Sequence, residues 1–186
     1  MLVLASKSPR RQEILRHAGI PFVVRPVMVH EERKAGERPE QYVLRLAGEK
    51  AAAASASPEE VVLGADTIVV VDDAVLEKPV DDEDAANMLR RLSGREHQVL
   101  TGICLRSHGK EVADLCRTSV WFSTLTEQEI LDYVASGEPR DKAGAYAIQG
   151  LAAKFVEKID GCYWNVVGLP VSLVYRHWKE LLVPCK

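Results

Sequence analysis

The sequence predicts an α/β fold in which helices flank a twisted, mixed β-sheet. The run from Val61 to Val71 is almost continuously apolar and β-branched, which is typical of a strand buried on both faces. Stretches with helical periodicity lie before and after this run, and two strand pairs joined by short turns indicate antiparallel hairpins. The 186 residues contain no repeat, linker or low-complexity tract, so a single domain over residues 1–186 is expected.

Composition and charge argue against several classes of function. The net charge of −3 gives no basic field for non-specific nucleic-acid binding, and the apolar run around Asp66 is too short to span a bilayer. The first residues lack the basic and apolar regions of a signal peptide. The cysteines are scattered, as is typical of reduced thiols; they are Cys104, Cys116, Cys162 and Cys185. We therefore expect a cytoplasmic protein that binds neither nucleic acid nor membrane.

The first strand and helix are predicted from residues 2–18. Leu2 to Ala5 suit a short buried strand, and Ser8 followed by Pro9 suits the start of a helix. Gly19 ends this helix, and residues 22–29 are predicted to form a second strand.

Positive charge is concentrated at the start of this first helix. Lys7, Arg10 and Arg11 lie near its N-terminus, where the helix macrodipole disfavours cations. Free N–H groups at a helix N-terminus favour an anion, so a bound polyphosphate would explain the cluster, with Ser6 and Ser8 as further donors. The alternative is that Ser8 only caps the helix and that the arginines are solvated surface residues.

A second helix is predicted from Pro39 to about Ala54. Its apolar face contains Val43 and Leu46, and Lys50 falls on the same stripe. A lysine in that position either extends along the apolar surface to the rim or points into a cleft, and its position alone favours the rim.

Asp66 interrupts the apolar run of the predicted central strand. A buried carboxylate is costly unless a cation, a network of donors or a function accompanies it. The preceding Gly64 and Ala65 leave room for another backbone or a ligand to approach closely. The alternative is an aspartate that ends one strand and turns into the next, but the valines that follow favour a strand that continues.

Turn and cap signals predict the remaining elements. They are a turn at Asp72-Asp73 with a hairpin strand over 74–77, a helix capped by Asp81, strands over 98–106 and 111–122 joined by a loop over 107–110, a helix begun by a capping box from Thr126 to Glu129, strands over 152–158 and 162–167, and a helix after Pro170. Residues 137–150 break every regular pattern, so we expect a functional loop there.

Four ordered motifs resemble those of the Maf-like nucleotide pyrophosphatases. They are Ser6 to Leu15, Gly64 to Thr67, Glu77 to Pro79 and Asp141 to Gly150, and the resemblance extends over nearly the whole chain. The resemblance implies a fold related to that of the inosine-triphosphate pyrophosphatases, with two lobes around a cleft, and usually a cytoplasmic homodimer. It also implies a house-cleaning enzyme that cleaves noncanonical or surplus nucleoside triphosphates to the monophosphate and pyrophosphate.

Within this family the chain is most similar to the branch that acts on dTTP and UTP. The residues associated with that preference correspond to Arg10, Thr67 and Gln149. The branch that acts on 7-methyl-GTP departs from the Ala-Asp-Thr pattern and from the Ala-Tyr-x-Ile-Gln-Gly run, and both are intact here. The amide of Gln149 has the donor and the acceptor needed to pair with the O4 and N3–H edge of uracil or thymine, and modified pyrimidine nucleotides would fit the same pocket.

Hydrolysis of an α–β phosphoanhydride needs charge neutralisation, a bridging metal and an activated water. The resemblance implies that Asp66 is the general base. The candidate phosphate-binding residues are Ser6, Ser8, Arg11, Lys50 and Lys78. Asp66, with Glu31 or Glu32, offers hard oxygen ligands for Mg²⁺ or Mn²⁺. The loop over 30–33 is about a residue shorter than in close relatives, so either glutamate is a candidate.

Other functions differ from this one in testable ways. The absence of a G-x-x-x-x-G-K-[ST] motif excludes a P-loop NTPase. The charge balance and the 6% aromatic content speak against a nucleic-acid module and against a non-enzymatic regulator of cell division. A phosphatase that releases single phosphates remains chemically open, and a 7-methyl-GTP pyrophosphatase is the alternative within the family.

Overall fold

The computed structural model describes residues 1–54, 57, 59–107 and 109–182. The expectations for Cys185 and for the loop around His108 lie outside these residues. The strands of the described part are β1 Leu2–Leu4, β2 Phe22–Val24, β3 Val61–Val71, β4 Ala74–Leu76, β5 Glu96–Ser107, β6 Lys110–Phe122 and β7 Val156–Asp160. The helices are α1 Pro9–His17, α2 Pro39–Ala53, α3 Asp82–Leu92, α4 Glu127–Ala135, α5 Tyr163–Val167 and α6 Val171–Leu182. Short 3₁₀ helices cover Glu138–Asp141, Ala143–Ala145 and Leu151–Phe155.

The strands form one mixed sheet, which confirms the predicted fold class. Its order is β2-β1-β3-β5-β6-β7, and β4 pairs with β3. β1 runs parallel to both β2 and β3, with Val3 opposite Val23 and Val62. The β3–β4 and β6–β7 pairs are antiparallel. β1, the strand that leads into α1, therefore lies between two parallel neighbours.

The chain divides into two compact units. The first draws on residues 1–67, 101–116 and 168 onward, and the second on residues 68–100 and 117–167. The first unit has a core cluster that includes Val3, Ala47, Val62 and Cys104. In the second unit, edge-to-face aromatic contacts join His97, Phe122 and Tyr146, and others join Tyr133 and Phe155. The expectation of a single domain over 1–186, and of a cleft between two lobes, stays a prediction.

Cap residues begin the helices where the sequence predicts them. The hydroxyl of Ser8 accepts a hydrogen bond from Arg11 N, and the carboxylate of Asp81 accepts one from Asp84 N. Thr126 and Glu129 form the reciprocal capping box of α4. None of the helices in the described part combines the length and apolar character that crossing a membrane requires.

Three predicted strands differ from the structure. β2 ends at Val24, and the predicted strand over 152–158 is a 3₁₀ turn followed by the shorter β7. The predicted strand over 162–167 is the helix α5. Its helical turn is fixed by side-chain bonds, because Asn165 Nδ2 donates to Val99 O at 3.0 Å and to Thr118 Oγ1 at 3.0 Å. Asn165 is fully buried, so these bonds outweigh the β preference of the valines beside it.

Candidate active site

The centre of the candidate site is an ion pair between a strand residue and a helix residue. Lys50 Nζ, on α2, donates to Asp66 Oδ1, on β3, at 2.6 Å. Each residue is only 8% exposed. Asp66 lies inside the continuous strand, as predicted, and its partner is a cation. The interpretation of Lys50 as a rim residue is wrong, because the carboxylate draws its ammonium inward.

A second carboxylate reaches the same ammonium. Glu31 Oε1 lies 2.6 Å from Lys50 Nζ, and its side chain is about half exposed. Glu32 instead has Oε2 at 3.5 Å from His30 Nδ1 and is three-quarters exposed. Of the two glutamates, Glu31 is thus the one that shares a partner with Asp66.

Close backbone packing brings α2 and β3 together at this point. A Cβ on Gly64 would lie 2.1 Å from Ala47 O and 2.6 Å from Ala51 N, so only glycine fits. The prediction that Gly64 admits another backbone is confirmed. This approach lets Lys50 reach a carboxylate that is two residues further along the strand.

Arg11 holds the chain on both sides of Asp66. Its Nη1 donates to Ala65 O at 2.9 Å, and its Nη2 donates to Thr67 Oγ1 at 3.1 Å. Its Nε donates to Gly168 O, and Nη1 also donates to Ser6 Oγ. Burial lowers the pKa of the Arg11 guanidinium, and the nearby Asp66 carboxylate partly offsets this effect. These bonds occupy four of the five donor positions of the guanidinium, and the role of Arg11 as a phosphate ligand stays a prediction.

Thr67 belongs to the same network. Its hydroxyl lies 2.9 Å from Thr101 Oγ1 and 3.3 Å from Gly168 O, besides accepting from Arg11. Thr101 is fully buried on β5. Nothing in the sequence singled out Thr101, because its contact with Thr67 depends on the pairing of distant strands. The carbonyl of Gly168 was not predicted to be an acceptor either.

The start of α1 presents the other predicted phosphate-binding groups. Ser6 Oγ accepts from Ser8 N at 3.2 Å, and Ser8 Oγ caps the helix. Arg10 is half-buried and Lys7 is exposed. The Ser8 hydroxyl therefore caps α1, which confirms that part of the alternative. Phosphate binding by this segment stays a prediction.

The remaining predicted residues, Lys78 and Gln149, belong to the second unit. Both are exposed. Gly144 N donates to Glu77 O at 3.0 Å and so ties the 143–145 turn to the residue before Lys78. Gly144 has φ +69°, and a Cβ there would lie 2.7 Å from Val69 Cγ2, which explains the glycine. The roles of Lys78 and Gln149 stay predictions.

The carboxylates of the site suit a hard divalent cation. Within the described residues, no group of three or more histidine, cysteine, aspartate or glutamate side chains gathers as a metal site. Glu31 and Asp66, however, converge on one cationic atom, Lys50 Nζ. Mg²⁺ is commonly held by one or two carboxylates, with waters and substrate phosphates completing its coordination. This pair therefore fits such an ion, whereas the carboxylate of Glu32 pairs with His30.

Comparison with known proteins decides the family. The family model described as "Maf-like protein" matches residues 1–181. The chain belongs to this Maf-like family. Among similar proteins, the "dTTP/UTP pyrophosphatase" of Koribacter versatilis (strain Ellin345) is 52% identical over 180 residues, covering 96% of this chain and 93% of that protein. The protein of the same name from Vibrio cholerae (serotype O1, strain ATCC 39315 / El Tor Inaba N16961) is 54% identical over 172 residues, covering 91% of this chain and 92% of its own length.

A solved structure shares the fold. The HAM1 protein from Coxiella burnetii aligns with 96% of this chain and 98% of its own, with a TM-score of 0.53 and 15% sequence identity. Together these matches confirm the resemblance noted in the sequence and the α/β fold class.

Proposed function

We propose that this Maf-like chain hydrolyses dTTP and UTP, and modified pyrimidine nucleotides of the same shape, to the nucleoside monophosphate and pyrophosphate. The observation that carries the proposal is the buried Asp66 paired with Lys50 and flanked by residues that Arg11 holds in place. The names of the relatives at 52% and 54% identity support the choice of substrates.

The proposed reaction breaks the bond between the α-phosphorus and the oxygen that bridges to the β-phosphorus. Asp66 accepts a proton from a water molecule whose oxygen forms the new bond to the α-phosphorus. The bridging oxygen leaves with pyrophosphate and retains the bonding electron pair. Lys50 holds the Asp66 carboxylate on one side and offers positive charge to the phosphate oxygens on the other.

Charge neutralisation would come from several sources. The side chains of Lys7 and Arg10, at the start of α1, would face the polyphosphate, with Lys78 as a further cation. A divalent cation held by Glu31 and Asp66 would withdraw charge from the phosphate oxygens. Gln149 would pair with the edge of the pyrimidine base, and Arg10 and Thr67 would contribute to the preference. We further propose that the enzyme is a cytoplasmic homodimer.

A product assay with a substrate panel tests the proposal. Pyrophosphate and orthophosphate are measured from dTTP, UTP, CTP and 7-methyl-GTP, each with Mg²⁺ and with Mn²⁺. We expect pyrophosphate as the first product, and we expect dTTP and UTP to be the preferred substrates. Asp66→Asn should abolish turnover and leave the protein folded. Orthophosphate as the first product indicates a phosphatase, preference for 7-methyl-GTP indicates the other branch, and no turnover of any nucleotide favours a non-enzymatic regulator.

A further inference from the structure

One carboxylate, that of Glu138, holds both ends of the segment that carries Gln149. Glu138 Oε2 accepts a hydrogen bond from Leu151 N at 3.1 Å. Its Oε1 accepts the hydroxyl proton of Tyr133 at 2.8 Å, and Tyr133 Oη in turn accepts from Ala147 N at 3.1 Å. The two anchored amides therefore lie two residues on either side of Gln149.

The segment between the anchors is itself closed into a turn. Gly150 N donates to Ala147 O at 3.0 Å. A Cβ at position 150 would lie 2.2 Å from Glu138 Oε2, so a larger residue there would displace the carboxylate from its present position. The turn, the two anchors and this tight contact leave the backbone at position 149 little freedom, while the Gln149 side chain itself is exposed.

Of the two anchors, Tyr133 lies in a largely dry part of the second unit, whereas the bond from Leu151 N to Glu138 is exposed. Tyr133 is 3% exposed, and its ring packs edge-to-face on Phe155 with centroids 5.6 Å apart. Burial, together with the Glu138 carboxylate, raises the pKa of the Tyr133 hydroxyl, so the hydroxyl keeps its proton and can donate. Tyr146, the residue before this segment, has its Oη 2.8 Å from His97 Nε2. This contact holds Tyr146 in place at the start of the segment.

Neither Tyr133 nor Glu138 needs to touch the nucleotide in order to affect base choice. An amide that reads the edge of a pyrimidine discriminates only if its donor and acceptor meet the base in one orientation, since the wrong base is rejected through unpaired polar groups. Backbone freedom of even an ångström would let the amide adapt to another base.

We propose that Tyr133 and Glu138 are positioning residues for base selection, which fix the backbone on both sides of Gln149 so that its amide presents a single hydrogen-bonding edge to a pyrimidine. This inference rests on the proposed function, and it adds two residues that the sequence motifs did not point to.

Two conservative variants test the inference. Tyr133→Phe removes the acceptor for Ala147 N–H and the donor to Glu138. Glu138→Gln keeps the shape but has one acceptor oxygen for two donors, so either Leu151 N or the Tyr133 hydroxyl loses its acceptor. Tyr163→Phe and Glu157→Gln, at exposed positions of the same unit, are the matched controls.

The first readout is the ratio of kcat/KM for UTP to that for CTP. We expect Tyr133→Phe and Glu138→Gln to lower this ratio at least fivefold and the controls to leave it within twofold. In a Gln149→Ala background, the same changes should lower the ratio no further, because the amide that they orient is absent. A purely structural role predicts equal losses for both nucleotides, an unchanged ratio and independent effects in the double variants, and that result overturns the proposal.

The second readout does not depend on activity. Amide hydrogen exchange across residues 147–151 should be at least tenfold faster in both variants than in the wild type or the controls. Unchanged exchange at Ala147 and Leu151 contradicts the anchoring. If the wild type fails to hydrolyse UTP, the proposed function is wrong, and the exchange measurement still decides whether the anchors fix this segment.

Discussion

The ammonium of Lys50 lies 2.6 Å from a carboxylate oxygen of Asp66, and neither side chain has much access to water. A buried pair of this kind contributes little net stability compared with apolar residues, yet it is costly to break from one side only. The pair therefore gives a direct test of how strongly the proposed general base depends on its partner.

Lys50→Met should destabilise the protein by about 3 kcal/mol, because it leaves the Asp66 carboxylate buried without its cation. The free energy of unfolding in urea measures this effect. Adding Asp66→Asn to Lys50→Met should restore part of the loss, since the double variant has no buried unpaired carboxylate at position 66, and Glu31, which also loses Lys50, is about half exposed. A single variant within about 0.5 kcal/mol of the wild type, the range of ordinary surface changes, contradicts this account.

Arg11→Lys should lower kcat by about a hundredfold and leave KM within about threefold of the wild type. An ammonium cannot reproduce the planar set of bonds to Ala65 O, Thr67 Oγ1, Ser6 Oγ and Gly168 O, so the strand around Asp66 loses its support. Steady-state kinetics with UTP separates the two constants. A large rise in KM with kcat unchanged would instead assign Arg11 to phosphate binding.

Gly64→Ala should destabilise the protein by about 3 kcal/mol, at the upper end of overpacking effects. The new methyl group would collide with backbone atoms of Ala47 and Ala51, which cannot move without displacing α2. The matched control is Gly48→Ala in the same helix, where a Cβ meets nothing within 4 Å. The control should gain roughly 0.5–1 kcal/mol from better helix propensity. Thermal or urea unfolding of both variants gives the comparison, and equal effects would refute it.

Acidification should weaken the fold through His97. Burial lowers the pKa of His97 to about 4, whereas the unfolded chain titrates near 6.5. Below pH of about 6.5 the histidine binds a proton in the unfolded chain but not in the folded protein. The contribution of His97 to the free energy of unfolding is therefore complete above that pH and decreases as the pH falls towards 4. The loss at pH 4 amounts to roughly 3 kcal/mol from this one group.

The neutral variant His97→Gln isolates this contribution. The free energy of unfolding of the wild type relative to the variant should decline between pH 6.5 and 4 and should stay constant from pH 7 to 8. A difference that does not change with pH would show that His97 is protonated as easily in the folded state as in the unfolded chain.

The sequence predicted elements whose signals are local. The bounds of β3 agree with the continuous β-branched run, and the caps at Ser8, Asp81 and Thr126 begin helices as predicted. Short-range periodicity failed at residues 162–167. There, bonds from Asn165 to Val99 on β5 and to Thr118 on β6 decide the helical conformation. Five residues are too few for periodicity to separate a strand from a single helical turn.

The sequence pointed to residues that meet around Asp66 but not to the bonds between them. Motif resemblance pointed to Asp66, Lys50 and Arg11, yet helical periodicity gave only the face on which Lys50 lies and not the carboxylate that it meets. Arg11 finds one acceptor in Gly168, 157 positions away in the chain. Such a contact depends on the fold as a whole, and no local pattern encodes it.

The anchors of the 147–151 turn engage main-chain amides, and neither bond uses the side chain at position 149. Exchanging Gln149 for a residue with a different polar edge therefore leaves the course of the main chain intact. Under the proposed function, the Gln149 side chain is then a specificity group that can be exchanged without changing the main chain that carries it. A saturation library at this single codon is accordingly a practical route to catalysts with altered base selectivity.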